Sequence, residues 1–174
     1  MATSSRPTNS KSPLQLLYPD LENELVLTRR ILERYPEGKA DWRPHDKSTA
    51  LGALATHVAE LPRLAAMVLK TDEMDVANRQ RNEPAKNSTE LLRIFEESVG
   101  MLMPAISAAT FDDLEKSWTL KFGGRPLFSD TRRLLMRTLL INHVIHHRAQ
   151  LGVYYRLLGI PVPGLYGPSA DEPV

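Results

Sequence analysis

His143-Val-Ile-His146-His147-Arg-Ala-Gln150-Leu-Gly-Val-Tyr154-Tyr-Arg-Leu-Leu158-Gly159-Ile-Pro161 is the stretch whose reading decides the fold. Met136, His143, His147, Gln150, Tyr154 and Leu158 recur at three and four residues or their sums, so they share one face of a helix. The spacing predicts a long helix over 130–158. Ser129 or Asp130 stands at its start as a cap, and Gly159 followed by Pro161 stops it.

Working outward, three more stretches carry the same period. Leu21, Leu25, Thr28, Leu32 and Tyr35 predict a helix over 19–35, with Pro19 in its first turn and Pro36-Glu37-Gly38 ending it. Leu54, His57, Leu61, Leu64 and Val68 predict a helix over 48–70, capped by Ser48 and kinked at Pro62. A helix over 88–108 follows from Leu91, Phe95, Val99 (or Ser98), Leu102 and Ile106, with Asn87 and Glu90 spaced as a capping box and Pro104 near its end. Between the last two helices, Gly123-Gly124 and Pro126 mark turns, and Trp118-Thr119-Leu120 suits a short extended piece. With no strand-rich region to compete, the expected class is all-α: an antiparallel four-helix bundle.

The 174 residues suffice for one domain with a substantial core. Residues 1–12, rich in Ser, Thr and Pro without an apolar stretch, read as a disordered leader rather than a secretory signal. Residues 13–170 form the expected domain, and 171–174 a frayed end. Pro161 to Ser169 is expected to dock on the helices: its prolines restrict the backbone, and Leu165 and Tyr166 offer apolar area. A formal net charge of +1 offers no global field for nucleic acid. No run is long and apolar enough to span a bilayer, which points to a cytoplasmic protein that binds neither membrane nor nucleic acid.

The chain has no cysteine, so thiolate ligands, disulfides and a cysteine nucleophile are excluded. Of its five histidines, His143 and His147 lie four apart on one helical face, the spacing by which one helix offers two ligands to a metal. Val144 stands where a zinc protease carries its glutamate. His57 sits on the apolar face of the second helix, and three buried imidazoles need partners. The reading is one divalent metal ion held by His57, His143 and His147. The other reading is a hydrogen-bonded core pair with an unrelated third histidine. His146 lies toward the flank of the helix, with pairing to His143 as an alternative, and His45 falls in a charged loop. Nitrogen ligands of this kind suit zinc, nickel, cobalt, copper or ferrous iron, and three protein ligands leave positions open for water or substrate. Gln150 and Tyr154 are nearby polar candidates with structural roles, and Glu60 is expected to be exposed.

The run His143-x-x-His146-His147-Arg-Ala-Gln150, followed by Gly159-Ile-Pro161 and Tyr166-Gly-Pro-Ser169, resembles the end of DinB-like (DinB/YfiT-like) proteins. Trp42-Arg-Pro-His45-Asp-Lys-Ser48, with Leu51-Gly-x-Leu54-Ala-x-His57, resembles the family's entry to its second helix. Ala149 stands where the family usually has glycine. The resemblance implies a four-helix bundle with a metal, zinc, nickel or iron, held by histidines matching His57, His143 and His147. Some relatives transfer low-molecular-weight thiols such as bacillithiol, mycothiol or glutathione. The implied function is therefore a divalent-metal-dependent enzyme acting on a small molecule, a thiol S-transferase or else a hydrolase. The alternatives are a non-catalytic metal or small-ligand binding protein of the stress response, and an interaction protein whose histidines are core residues. A homodimer is expected, because bundles bury residual apolar surface by pairing and family members are often dimeric.

Overall fold

The computed structural model describes residues 11–78 and 82–173. Most of them are helical, as the apolar stripes require: α1 (Pro13–Leu17), α2 (Leu21–Leu32), α3 (Leu51–Lys70), α4 (Ser88–Ala108), α5 (Phe111–Glu115), α6 (Arg132–Leu135) and α7 (His143–Leu157). α3 packs against α4 and α7, and α2 packs against α3, α4 and α7. The predicted stripe of α2 is buried along its whole length, from Leu21 through Leu25, Thr28 and Leu32 to Tyr35 just past the helix end. In α4 the face turns on Ser98 rather than Val99, since Ser98 is buried and its hydroxyl donates to the Ile94 carbonyl at 2.7 Å. α3 and α4 both run through their prolines, Pro62 and Pro104.

The class is not all-α. Strands β1 (Glu73–Asp75), β2 (Ser117–Phe122) and β3 (Arg125–Thr131) form a three-stranded sheet in that order. β1 runs parallel to β2, and β2 and β3 form an antiparallel hairpin with a bulge at Leu120/Lys121. The extended piece expected at Trp118 is thus the middle of a hairpin. Gly123 and Gly124 turn it at φ +56° and +78°, the paired positive values that a two-residue hairpin loop demands. The Asp75 carboxylate accepts from both glycine amides, at 3.0 and 2.6 Å. Trp118 is fully buried and donates its indole N–H to Thr71 Oγ1 at 3.1 Å, which fastens the sheet to the end of α3.

Several helix ends differ from their predicted caps. Ser12, placed in the leader, caps α1 and shares a capping box with Gln15, while residues 1–10 lie outside the described set. Ala50, not Ser48, precedes α3. Its first amides are taken by loop carbonyls instead of a serine: Leu51 donates to Trp42 and Gly52 to Ala40, each at 2.8 Å. That approach leaves a Cβ at position 52 only 2.9 Å from the Ala40 Cβ, so glycine is required there. Ser129 and Asp130 belong to β3, and Thr131 caps α6 by accepting from the Leu134 amide. The predicted fourth helix is α6 and α7 joined by a π-helical segment, Met136–Asn142, which ends just before His143. It closes at Gly159 (φ +70°) with the Ile160 amide donating to the Tyr155 carbonyl at 2.9 Å, as foreseen.

The C-terminal segment docks, and it stays engaged past residue 170. Asp171 pairs with Arg156 at 2.6 Å, and Glu172 pairs with Arg30 and Arg34 at 2.6 and 3.0 Å. Charge therefore holds Asp171 and Glu172, two of the residues expected to fray. Pro163 is buried and Leu165 half-buried, but the Tyr166 ring stays 65% exposed and engages through its hydroxyl instead. That hydroxyl donates to Glu24 Oε2 at 2.7 Å and accepts from Arg148. Arg148, 1% exposed, pairs with Glu24 Oε2 at 2.5 Å and donates to the Glu24 carbonyl and Thr28 Oγ1 at 3.0 and 3.2 Å.

Removing one partner of a buried ion pair leaves the other uncompensated. Glu24→Ala is expected to lower unfolding free energy by about 3–5 kcal/mol, measured by urea denaturation. A loss below about 1 kcal/mol, the scale of an exposed pair, would contradict the burial described for Arg148.

Candidate metal centre

α3 presents His57 and α7 presents His143 and His147, and the packing of these two helices brings the three imidazoles together. The ring centroids lie 4.6–5.0 Å apart. One nitrogen from each ring falls within 4.8 Å of the other two, and all three side chains are half-buried. His57 Nε2 and His143 Nε2 are 3.3 Å apart. Two nitrogens each about 2.0–2.1 Å from one tetrahedral ion would be separated by about 3.3–3.4 Å, so this pair already has the spacing a shared ion requires. Three neutral nitrogens with no thiolate form a donor set for a borderline divalent ion such as zinc, nickel or ferrous iron.

The second nitrogens of His143 and His147 are partnered on α7 and in the π-helical segment before it. His147 Nδ1–H donates to Gln150 Oε1 at 2.7 Å, which leaves Nε2 with its lone pair. His143 donates from its ring to the backbone of Leu139, in the π-helical segment, so the nitrogen facing His57 keeps its lone pair. Gln150, a neighbour of the site by sequence, is thus the group that orients His147. Burial pushes the His143 imidazole down to about 4, helped by the proximity of His147 and His146 and opposed by the Leu139 bond. Burial likewise lowers His147, against the bond from Gln150. Both rings are therefore neutral at pH 7, the protonation state a metal needs.

The other sequence candidates fall elsewhere. His146 is exposed and, although its ring lies 4.9 Å from that of His147, it does not join the three converging nitrogens. His45 is exposed and accepts from the Lys47 amide at 3.1 Å. Tyr154 is structural: its hydroxyl donates to the Thr49 carbonyl at 3.1 Å and its ring meets Trp42 edge-on. Glu60 is not exposed, as expected from sequence, but 5% accessible. Its Oε1 accepts from Arg63 and from Asn82, each at 2.5 Å. Those donors from α3 and the following loop make burial of the carboxylate tolerable. Its position three residues past His57 was the available signal, because that offset keeps it near the same helix face.

A cavity of about 350 Å³ opens beside the triad, lined by His57 and His147 together with Thr56, Glu60, Asn82 and Pro84. That size admits a small molecule. No described helix is long and apolar enough to cross a membrane.

Comparison with known proteins agrees with this architecture. The model of the DinB family matches residues 10–173. The fold is similar to a DinB-like protein of Bacillus cereus ATCC 10987 (TM-score 0.65, 21% identity, covering 86% of this chain and 95% of that one). It is likewise similar to the DinB-like protein YjoA of Bacillus subtilis (TM-score 0.64, 19% identity, covering 91% and 99%). A 33-residue stretch is 52% identical to the uncharacterized protein YrdA of Bacillus subtilis strain 168, spanning 19% of this chain and 20% of YrdA.

The depressed histidines fix a pH dependence. A group whose pKa is lower folded than unfolded lets the unfolded chain bind more protons, so stability is full above the ordinary imidazole value of about 6.5 and falls as pH drops. For His143 the window runs down to about 4. Metal-free protein should lose thermal stability across that window, and His143→Gln should flatten the slope. An unchanged slope in that variant would remove His143 as its source.

Proposed function

The chain belongs to the DinB family, and we propose that it is a divalent-metal-binding protein acting in the cytoplasm as a metal-dependent enzyme on a small molecule, in the manner of a thiol S-transferase. One observation carries this reading: nitrogens of His57, His143 and His147 converge within 4.8 Å, and two of the three residues, His57 and His147, line a cavity of about 350 Å³. In the same reading the long helices constitute the antiparallel four-helix bundle that frames such a site. His57, His143 and His147 would hold the ion, zinc, nickel or iron. When bound, the ion supplies a Lewis acid that lowers the pKa of a thiol or water. Gln150 keeps the His147 lone pair directed at the site, and burial keeps the His143 and His147 rings unprotonated at pH 7. Three protein donors leave the remaining positions to the ligand that enters the cavity.

A second reading, a non-catalytic metal or small-ligand binder, draws support from Glu60. The acid lining the cavity already accepts from Arg63 and Asn82, which fixes its position and commits one of its oxygens to bonds within the protein. Turnover separates the two readings.

Protein loaded with zinc or nickel should bind about one ion per chain by elemental analysis. His57→Ala, His143→Ala and His147→Ala should each lose it, while His146→Ala keeps it. Consumption of a low-molecular-weight thiol with an electrophile, only in loaded protein, supports the enzyme. Tight binding without turnover across a thiol panel supports the binder. Equal metal loss in His146→Ala would show that a different face of α7 carries the site.

A further inference from the structure

His147 and Arg148 are consecutive on α7, about 100° apart around the helix. His147 turns to His57 on α3, and Arg148 turns to Glu24 on α2. One rigid turn thus carries both a candidate ligand and a buried guanidinium. The guanidinium is gripped from two sides. Glu24 and Thr28 hold it from α2, and from the C-terminal segment the Tyr166 ring lies over it at 5.1 Å while the hydroxyl bridges it to Glu24 Oε2. The segment that brings Tyr166 is itself anchored: Arg30 donates to the Gly164 carbonyl at 2.7 Å, and Glu172 pairs with Arg30 and Arg34.

We propose that Tyr166 is a positioning residue for the metal centre, acting through Glu24 and Arg148 to fix the rotation of α7 and with it the aim of His143 and His147. The proposal rests on the metal-binding reading above. Its physical basis is a lever. A rotation of about 5° moves an atom at the ~5–6 Å side-chain radius of a helix by about 0.5 Å. Metal–ligand distances tolerate only about 0.2 Å. Gln150 fixes the tautomer of His147 but lies on the same helix and turns with it, so it cannot resist this rotation. Arg148 can, because its partners are on α2 and the C-terminal segment.

The test is titration of full-length protein with Co²⁺, reading affinity by chelator competition and site geometry by the visible ligand-field bands. Tyr166→Ala removes ring and hydroxyl, and Tyr166→Phe removes the hydroxyl alone and guards against loss of fold, which circular dichroism monitors. Tyr166→Ala should weaken Co²⁺ binding about tenfold, the scale of losing a group that orients a ligand, and shift the bands. Tyr166→Phe should show a smaller loss in the same direction. Glu97→Gln, which loosens an exposed pair with Arg93 on α4, should match wild type in both readouts. Wild-type affinity and spectrum in both Tyr166 variants would overturn the proposal, as would an equal loss in Glu97→Gln. If wild-type protein binds no Co²⁺, the metal-binding reading fails and takes this one with it. Binding by wild type with indifferent variants defeats the positioning role alone.

Discussion

A guanidinium that is 1% exposed can persist only beside a counter-charge, and in this fold Glu24 is that charge. The constraint reaches far because the two residues are 124 positions apart. Satisfying Arg148 brings α2 against α7, orders the Thr28 hydroxyl, and gives the C-terminal segment a place to end. The apolar stripes would allow the helices to slide or rotate against one another, since dispersion and area burial are weakly directional. A guanidinium with four acceptor atoms spread over Glu24, Thr28 and Tyr166 removes that freedom. Its energetic yield against an apolar pair is small by comparison with this geometric role.

The histidine cluster is tuned differently. Its rings are half-buried rather than sealed, and the groups that hydrogen-bond His147 and His143, the Gln150 side chain and the Leu139 backbone, belong to α7 and the π-helical segment just before it. Desolvation is the larger cause holding His143 and His147 neutral. Half-buried rings held neutral at pH 7, with lone pairs toward a shared point, form the donor set a divalent cation takes.

The long helices were legible because burial imposes a period that the sequence must carry. The His143/His147 pair was legible for the same reason, and its meeting with His57 followed from two stripes sharing one interior. What escaped was decided between elements. The start of α3 depends on carbonyls of Ala40 and Trp42 that come near only in the folded chain, so Ser48 looked like a better cap than it is. The partner strand β3 is exposed almost throughout, without the alternation that marks a half-buried strand, which hid the hairpin around Trp118. Glu60 and Arg148 look like surface charges in a linear reading. Their burial rests on donors and acceptors contributed by other segments. Tyr166 offered apolar area to the eye, and its hydroxyl proved the more consequential end.

The sheet ends at β3, whose outer edge faces no other strand among the described residues. Leu127 and Phe128 are exposed along it. Such an edge invites end-on growth from one molecule to the next. Two features already described oppose that growth. Pro126 takes one amide out of the edge, and the bulge at Leu120/Lys121 spoils the flat register a neighbouring strand would need. The hairpin therefore carries its own safeguard against fibril-like stacking.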